Sequence, residues 1–103
     1  MVDDCKNKVV LVTGASSGIG KAIAVKFALH KSKVALVGRN AKALSDLRQE
    51  IQDAKGSAEF FLHDLSELSK IPQLIEKIEK YFQSPVSLLI NNAGVSTVGK
   101  IED

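Results

Sequence analysis

The residues with most chemistry to offer lie together near the start of the chain: Thr13-Gly14-Ala15-Ser16-Ser17-Gly18-Ile19-Gly20. They follow a β-branched run, Val9 to Thr13, and open a stretch of helical period from Gly18 to His30. At such a joint glycines permit a tight turn and close backbone approach. The free N–H groups and positive dipole end of the helix then attract a pyrophosphate. A nucleoside-triphosphate loop of the form G-x-x-x-x-G-K-[ST] is excluded, because Ala15 stands where its first glycine belongs and Ala22 follows Gly20-Lys21. Gly14, Gly18 and Gly20 read as G-x-x-x-G-x-G, a different spacing from the G-x-G-x-x-G of other dinucleotide-binding folds.

A second feature discriminates between dinucleotides. An acidic residue about 20 positions beyond the glycines chelates a free ribose, whereas an arginine accommodates a 2′-phosphate. No Asp or Glu occurs between Gly20 and Asp46, and the second strand runs out as Val37-Gly38-Arg39-Asn40. Arg39 therefore favours NADP(H) over NAD(H), the alternative being that it is a solvated loop charge.

The elements that must position these groups alternate along the chain. Val9 to Thr13, Val34 to Val37, Glu59 to Leu62 and Ser87 to Ile90 are near-continuous apolar runs, as expected of strands covered on both faces. Between them lie three helical stretches. Gly18 to His30 is apolar on almost every side, with Ile19, Ile23 and Phe27 at i+4 steps, and is expected to be the most buried helix. The second carries Ala43, Leu44, Leu47, Ile51 and Ala54 on one stripe, with Gly56 as a stop. The third carries Ile71, Leu74, Ile75, Ile78 and Phe82, with Ser66 or Ser69 as N-cap and Pro72 in its first turn. Right-handed crossovers arrange the four strands in the order 3-2-1-4. This predicts an α/β fold, a Rossmann-type doubly wound parallel sheet that is incomplete, with residues 1–103 forming a partial dinucleotide-binding domain. The fourth strand is left as an apolar edge, an invitation to self-association.

Thr13-Gly-x-x-x-Gly-Ile-Gly20, followed by Asn91-Asn92-Ala93-Gly94, resembles the short-chain dehydrogenase/reductase family from about Lys8 onward, over the N-terminal part of a family member. The resemblance implies that Gly14, Ser16, Ser17 and Ile19 line the adenosine and pyrophosphate. It implies that Asp64, helped by Leu65, binds the adenine amine, and that Asn91, Ala93 and Gly94 border the ribose and brace the fourth strand. Read without the family, Asp64 is a turn or helix-entry residue, and Asn91 and Asn92 satisfy backbone groups at a strand end. Family members that prefer NADP(H) often carry a basic residue where Arg39 stands; Ser17 replaces the basic residue used by another NADP(H) group. A glycine frequent after the first helix is replaced by Lys31-Ser32-Lys33, which puts that helix cap in question.

The resemblance also implies a downstream Ser and Tyr-x-x-x-Lys pair, which these residues lack. The only tyrosine, Tyr81, has Pro85 four positions on and is expected to serve packing or surface. Two readings follow: the NADP(H)-binding portion of an oxidoreductase acting on an alcohol or carbonyl, or a truncated, non-catalytic nucleotide-binding fragment.

Composition narrows the remainder. One cysteine, Cys5, excludes an internal disulfide, and no Cys/His cluster has metal-ligand spacing. His63 reads as solvent-exposed, and His30 as a favourable charge at a helix C-terminus. The 45% hydrophobic, 25% charged composition is that of a globular domain without a membrane-length apolar run, and the acidic start argues against a secretory signal, so a cytoplasmic location is expected. A net charge of +2 and lysines spread evenly along the sequence set nucleic-acid and membrane partners aside. A dinucleotide is the expected partner, with homo-oligomerisation open for a longer form.

Overall fold

The computed structural model describes residues 6–64 and 68–92. Four strands and three helices alternate: β1 (Val9–Thr13), α1 (Gly18–Leu29), β2 (Lys33–Gly38), α2 (Ala41–Asp53), β3 (Ser57–Leu62), α3 (Ile71–Phe82) and β4 (Val86–Asn91). A short 3-10 turn, Leu68–Lys70, leads into α3. The strands form one sheet in the order β3-β2-β1-β4, every pair parallel. This is the expected doubly wound arrangement, with β2, β3 and β4 each a little longer than their apolar runs.

Successive residues of a strand face opposite sides of the sheet, so a central strand needs apolar residues throughout. Val10, Val12, Val34, Leu36 and Ala58 face α1 and α2, where Ala24, Ala28, Leu44, Leu47 and Ile51 meet them. Val9, Leu11, Ala35, Val37 and Phe61 face α3, against Leu74, Ile78 and Phe82. β1 is buried at all five positions. β4 is not: a bulge between its pairings with Val9 and Val10 turns Val86 toward the α3 side and Leu88 and Ile90 toward α1, leaving Leu89 54% exposed.

Helix α1 departs from expectation. Its buried stripe is Gly20, Ala24 and Ala28, whereas Ile23 and Phe27 are half-buried and Ile19 is 67% exposed. It is no more buried than its neighbours, because the small residues, one per turn, let the helix backbone lie close on the sheet and the large ones are turned to the flanks.

The helix ends also differ. α1 closes with Lys31 in the left-handed region at φ 72°, its N–H donating to Ala28 O, while the Ser32 N–H donates to Phe27 O. α2 repeats this with Lys55 at φ 70°, followed by Gly56 donating to Ile51 O at 2.8 Å. Both are Schellman closures with lysine in the place glycine favours. Gly56 sits one residue later than a left-handed stop requires; a Cβ there would lie 2.7 Å from Ile51 Cγ2. Ala54, expected on the apolar stripe, is the exposed C-cap. The N-cap of α3 is Lys70, which makes no side-chain capping bond; Ser69 lies within the 3-10 turn and Ser66 outside the described residues. Pro72 does fall in the first turn.

The two edges of the sheet are treated differently. Glu59 shares the α3 side of β3 with Phe61, yet its Oε2 accepts from Arg48 Nη1 of α2 at 2.8 Å, and Arg48 lies 5.0 Å over the Phe60 ring on the opposite side. Arg48 must therefore pass around the free edge of β3. Tyr81 of α3 donates to Glu59 Oε1 at 3.2 Å, and Gln52, one turn after Arg48, donates to Ala58 O at 3.1 Å. Side chains of α2 and α3 thus close over this edge. β4 has no counterpart among the described residues: Ser87, Leu89 and Asn91 are exposed, and Glu79 takes the Val86 N–H only at the strand's start.

The left-handed lysines predict a stabilising change. Lys31→Gly should raise the free energy of unfolding by about 0.5–1 kcal/mol, since glycine adopts positive φ without strain. Urea unfolding of this variant beside Lys31→Ala, which should give no gain, checks it.

Candidate nucleotide-binding site

The carboxyl ends of β1 and β4 flank the point where the strand order reverses, the crevice in which open α/β sheets bind ligands. The chain leaves β1 and turns at Gly14, φ 62°. Ala15 is buried, and its N–H donates to Val37 O at 3.3 Å, which ties the loop to the end of β2. Ser17 then caps α1: its Oγ accepts from the Gly20 N–H at 3.2 Å and donates to Gly14 O at 2.9 Å, and its N–H donates to the same carbonyl. Of the four N–H groups that a helix start leaves without intrahelical acceptors, these bonds satisfy those of Ser17 and Gly20. Among the described residues those of Gly18 and Ile19 meet no acceptor at the positive end of the helix.

The glycines of the loop do different work. A Cβ on Gly20 would lie 2.1 Å from Gly14 O and 2.9 Å from Asn92 Nδ2, so the fold itself demands glycine there. A Cβ on Gly18 would meet nothing within 4 Å, and its φ is not left-handed. The packing of the described residues gives no reason for glycine at position 18. The empty space beside two open N–H groups does, because it leaves room for an anion to reach the backbone. The loop fits a pyrophosphate on this ground.

Strand β4 braces the loop. Asn92 Nδ2 donates to Gly14 O at 3.2 Å and to Ser17 Oγ at 2.9 Å, while Thr13 Oγ1 donates to Asn91 Oδ1 at 3.1 Å. Asn92, read from sequence only as a strand-end residue, thus shapes the turn; its partners became visible only with the β1–β4 register. The Ser17 hydroxyl is fully engaged inside the loop, whereas Ser16 and Ile19 are exposed at its rim. Ser16 also faces a cleft shared with Lys21 and with Ala43, Asp46 and Glu50 of α2.

Arg39 follows the last residue of β2 and precedes Asn40, whose Oδ1 caps α2 by accepting the Ala43 N–H at 3.0 Å. The arginine is exposed and has no ion pair among the described residues. Asp64 is half-buried beyond the end of β3 and is engaged within the molecule. Its neighbour His63 is not the exposed residue expected: it is half-buried, its N–H donates to Gly38 O at 2.9 Å, and Nε2 is buried without a partner among the described residues. Leu65, Ala93 and Gly94 lie outside the described residues. Among those described, no group of His, Cys, Asp and Glu could hold a metal ion. Tyr81 is far along α3 from the loop. Burial raises its hydroxyl above the ordinary tyrosine value, and the charge and hydrogen bond of Glu59 add to this, with Arg48 opposing.

The model of the short chain dehydrogenases matches residues 8–103. The chain belongs to the short-chain dehydrogenase family. It is 40% identical over 94 residues to a fatty acyl-CoA reductase of Acinetobacter baylyi, covering 91% of this chain and 32% of the relative. It is 36% identical over 106 residues to an NADP-dependent (R)-specific alcohol dehydrogenase of Lentilactobacillus kefiri, covering 100% of this chain and 40% of the relative. Among solved structures, a metagenomic short-chain oxidoreductase in complex with NADP superposes with a TM-score of 0.80 at 37% identity, over 87% of this chain and 40% of that one. The chain therefore spans well under half the length of these relatives.

The contrast between the glycines is testable. Gly18→Ala should leave the unfolding midpoint unchanged or higher, alanine being the better helix former by roughly 1 kcal/mol, yet lower dinucleotide affinity by about tenfold or more, a loss of about 1.4 kcal/mol. Gly20→Ala should instead cost about 1–3 kcal/mol of stability through the collision with Gly14 O. Thermal unfolding and a cofactor titration on each variant separate the two.

Proposed function

We propose that this chain is the NADP(H)-binding portion of an oxidoreductase acting on an alcohol or carbonyl. The observation that carries the preference for the phosphorylated cofactor is Arg39, exposed at the carboxyl end of β2 without an ion pair among the described residues, in a stretch that offers no carboxylate before Asp46. An NADP-dependent relative and a structural neighbour with NADP support the reading.

When bound, the nicotinamide supplies hydride chemistry. The residues of this chain hold and orient it. Gly18 and Ile19 offer N–H groups to the pyrophosphate, and Gly18 leaves room for it. Arg39 pairs with the 2′-phosphate, Asp64 binds the adenine amine, and Ser16, Ile19 and Asn91 border the adenosine. Asn92 keeps the loop in shape, and Ser17 does so while lining the pyrophosphate. Leu65, Ala93 and Gly94 complete the site in this reading.

Two outcomes are expected. A charge-assisted contact of roughly 1.5–3 kcal/mol makes NADPH bind about tenfold to a hundredfold better than NADH. Arg39→Asp should reverse that order, and salt should narrow the gap. Titration of both cofactors by nicotinamide fluorescence reads this directly; equal affinities unchanged by the substitution would make Arg39 a solvated loop charge. The 103 residues alone should turn over no carbonyl, because Tyr81 lies against Glu59, well away from the loop, with Pro85 where a lysine partner is needed. Loss of NADPH absorbance that co-purifies with the chain over a panel of carbonyls would contradict this.

A further inference from the structure

Lysines that look evenly spread in the sequence are gathered by the fold. With all strands parallel, every strand start and the carboxyl end of every helix lies at one rim of the sheet, opposite the glycine loop. Lys6, Lys8, Lys26, Lys31, Lys33 and Lys55 all belong to that rim. The Asn7 N–H donates to Lys31 O at 2.8 Å, and the Lys33 N–H to Lys8 O at 2.9 Å, so the lead-in to β1 lies beside the α1–β2 turn. Lys33 pairs with Ser57, two residues after Lys55, and a Cβ at Gly56 would come 3.3 Å from Ala28 Cβ, which brings the α2–β3 turn against the last turn of α1. Five of these lysines are exposed and Lys33 is half-buried. Among the described residues none has an ion-pair partner, whereas Lys21, Lys42 and Arg48, away from the rim, all do.

The acids nearby do not balance this charge. Asp53 lies at the end of α2, where its Oδ1 accepts from Gln49 Nε2, Glu79 accepts the Val86 N–H at the start of β4, and Asp3 and Asp4 precede Lys6 in the sequence. The six lysines stay in excess with all four acids counted. Amid the lysines stands Leu29, 62% exposed, with His30 next to it.

We propose that this rim docks on the surface of an anionic lipid bilayer, the lysines at the headgroups and Leu29 entering the interface. A leucine ringed by lysines suits a boundary with charge outside and hydrocarbon beneath. A polynucleotide suits it less: among the described residues the rim has no arginine, and its exposed rings form no stacking platform, since His30 ends α1 on one face of the sheet and Tyr81 ends α3 on the other, held against Glu59. The nucleotide loop lies at the opposite end of the sheet, so cofactor and bilayer bind together without competing.

The test is co-sedimentation of the purified chain with phosphatidylcholine vesicles and with vesicles about one third phosphatidylserine, at low salt and at about 0.15 M salt. Binding is expected only to the anionic vesicles, weakening as salt rises. At roughly fivefold per lysine near the surface, Lys26→Glu with Lys55→Glu should lower the partition coefficient by about 25-fold or more. Lys6→Glu with Lys8→Glu, in the exposed lead-in to β1, should do the same by an independent route. Lys42→Glu with Lys77→Glu, equal in net charge but away from the rim, should lower it by no more than about threefold on the same scale. Leu29→Ser should reduce binding several-fold without changing its salt dependence, and saturating NADPH should change nothing. Equal binding to neutral vesicles, equal losses for all three charge-reversed pairs, or retention on duplex DNA in place of vesicles would each overturn the proposal. Circular dichroism of each variant confirms that the fold is kept.

Discussion

The nucleotide end of the sheet depends on how closely α1 approaches the carbonyl of Gly14. That oxygen takes up the Ser17 N–H, the Ser17 hydroxyl and the Asn92 amide, and it lies where a side chain on Gly20 would have to go. Three elements meet there: the end of β1, the first turn of α1 and the end of β4. The close approach continues down the helix as Ala24 and Ala28, which is why α1 rests on the sheet along its small residues. Capping, burial and the opening beside Gly18 are consequences of one contact that only glycine permits.

How much of this was legible in the sequence depended on how local the cause is. The strands were legible because a strand buried on both faces needs an unbroken apolar run, as β1 and β2 have. Their order followed from the handedness of crossovers. The glycine loop was legible because its chemistry sits within eight consecutive residues. The buried face of α1 was not, since a helix apolar on all sides carries no periodic contrast, and size decided the matter where polarity could not. Lys31 and Lys55 in left-handed positions were equally hidden: tertiary packing places them there against their own preference.

The site divides in the same way. Arg39 was readable from a rule tied to strand order, and its exposure at the end of β2 follows from that position. The division of labour between Asn91 and Asn92 was not readable, because it depends on which of them lies beside the loop once β4 has paired with β1. His63 misled for a related reason: a histidine past a strand end reads as solvent-facing until the strand's last turn outward is known. The rim lysines were set aside because spacing along the chain says nothing about proximity across a parallel sheet.

The unequal edges of the sheet have a consequence for the order in which such a structure is built. A chain leaving the ribosome amino-terminus first completes β1, α1, β2, α2 and β3 early, but Tyr81 must emerge before the bridge over the outer strand is whole. By then β4 is next in line, and it takes the one vacant side of β1. Any strand synthesised afterwards meets a sheet barred on one flank by Arg48, Gln52 and Glu59 and, among the described residues, open on the other. Growth is therefore directional: the early half of the molecule acts as a template with a single free end, and a late strand that tried the wrong flank would have to displace an ion pair and two hydrogen bonds to get in.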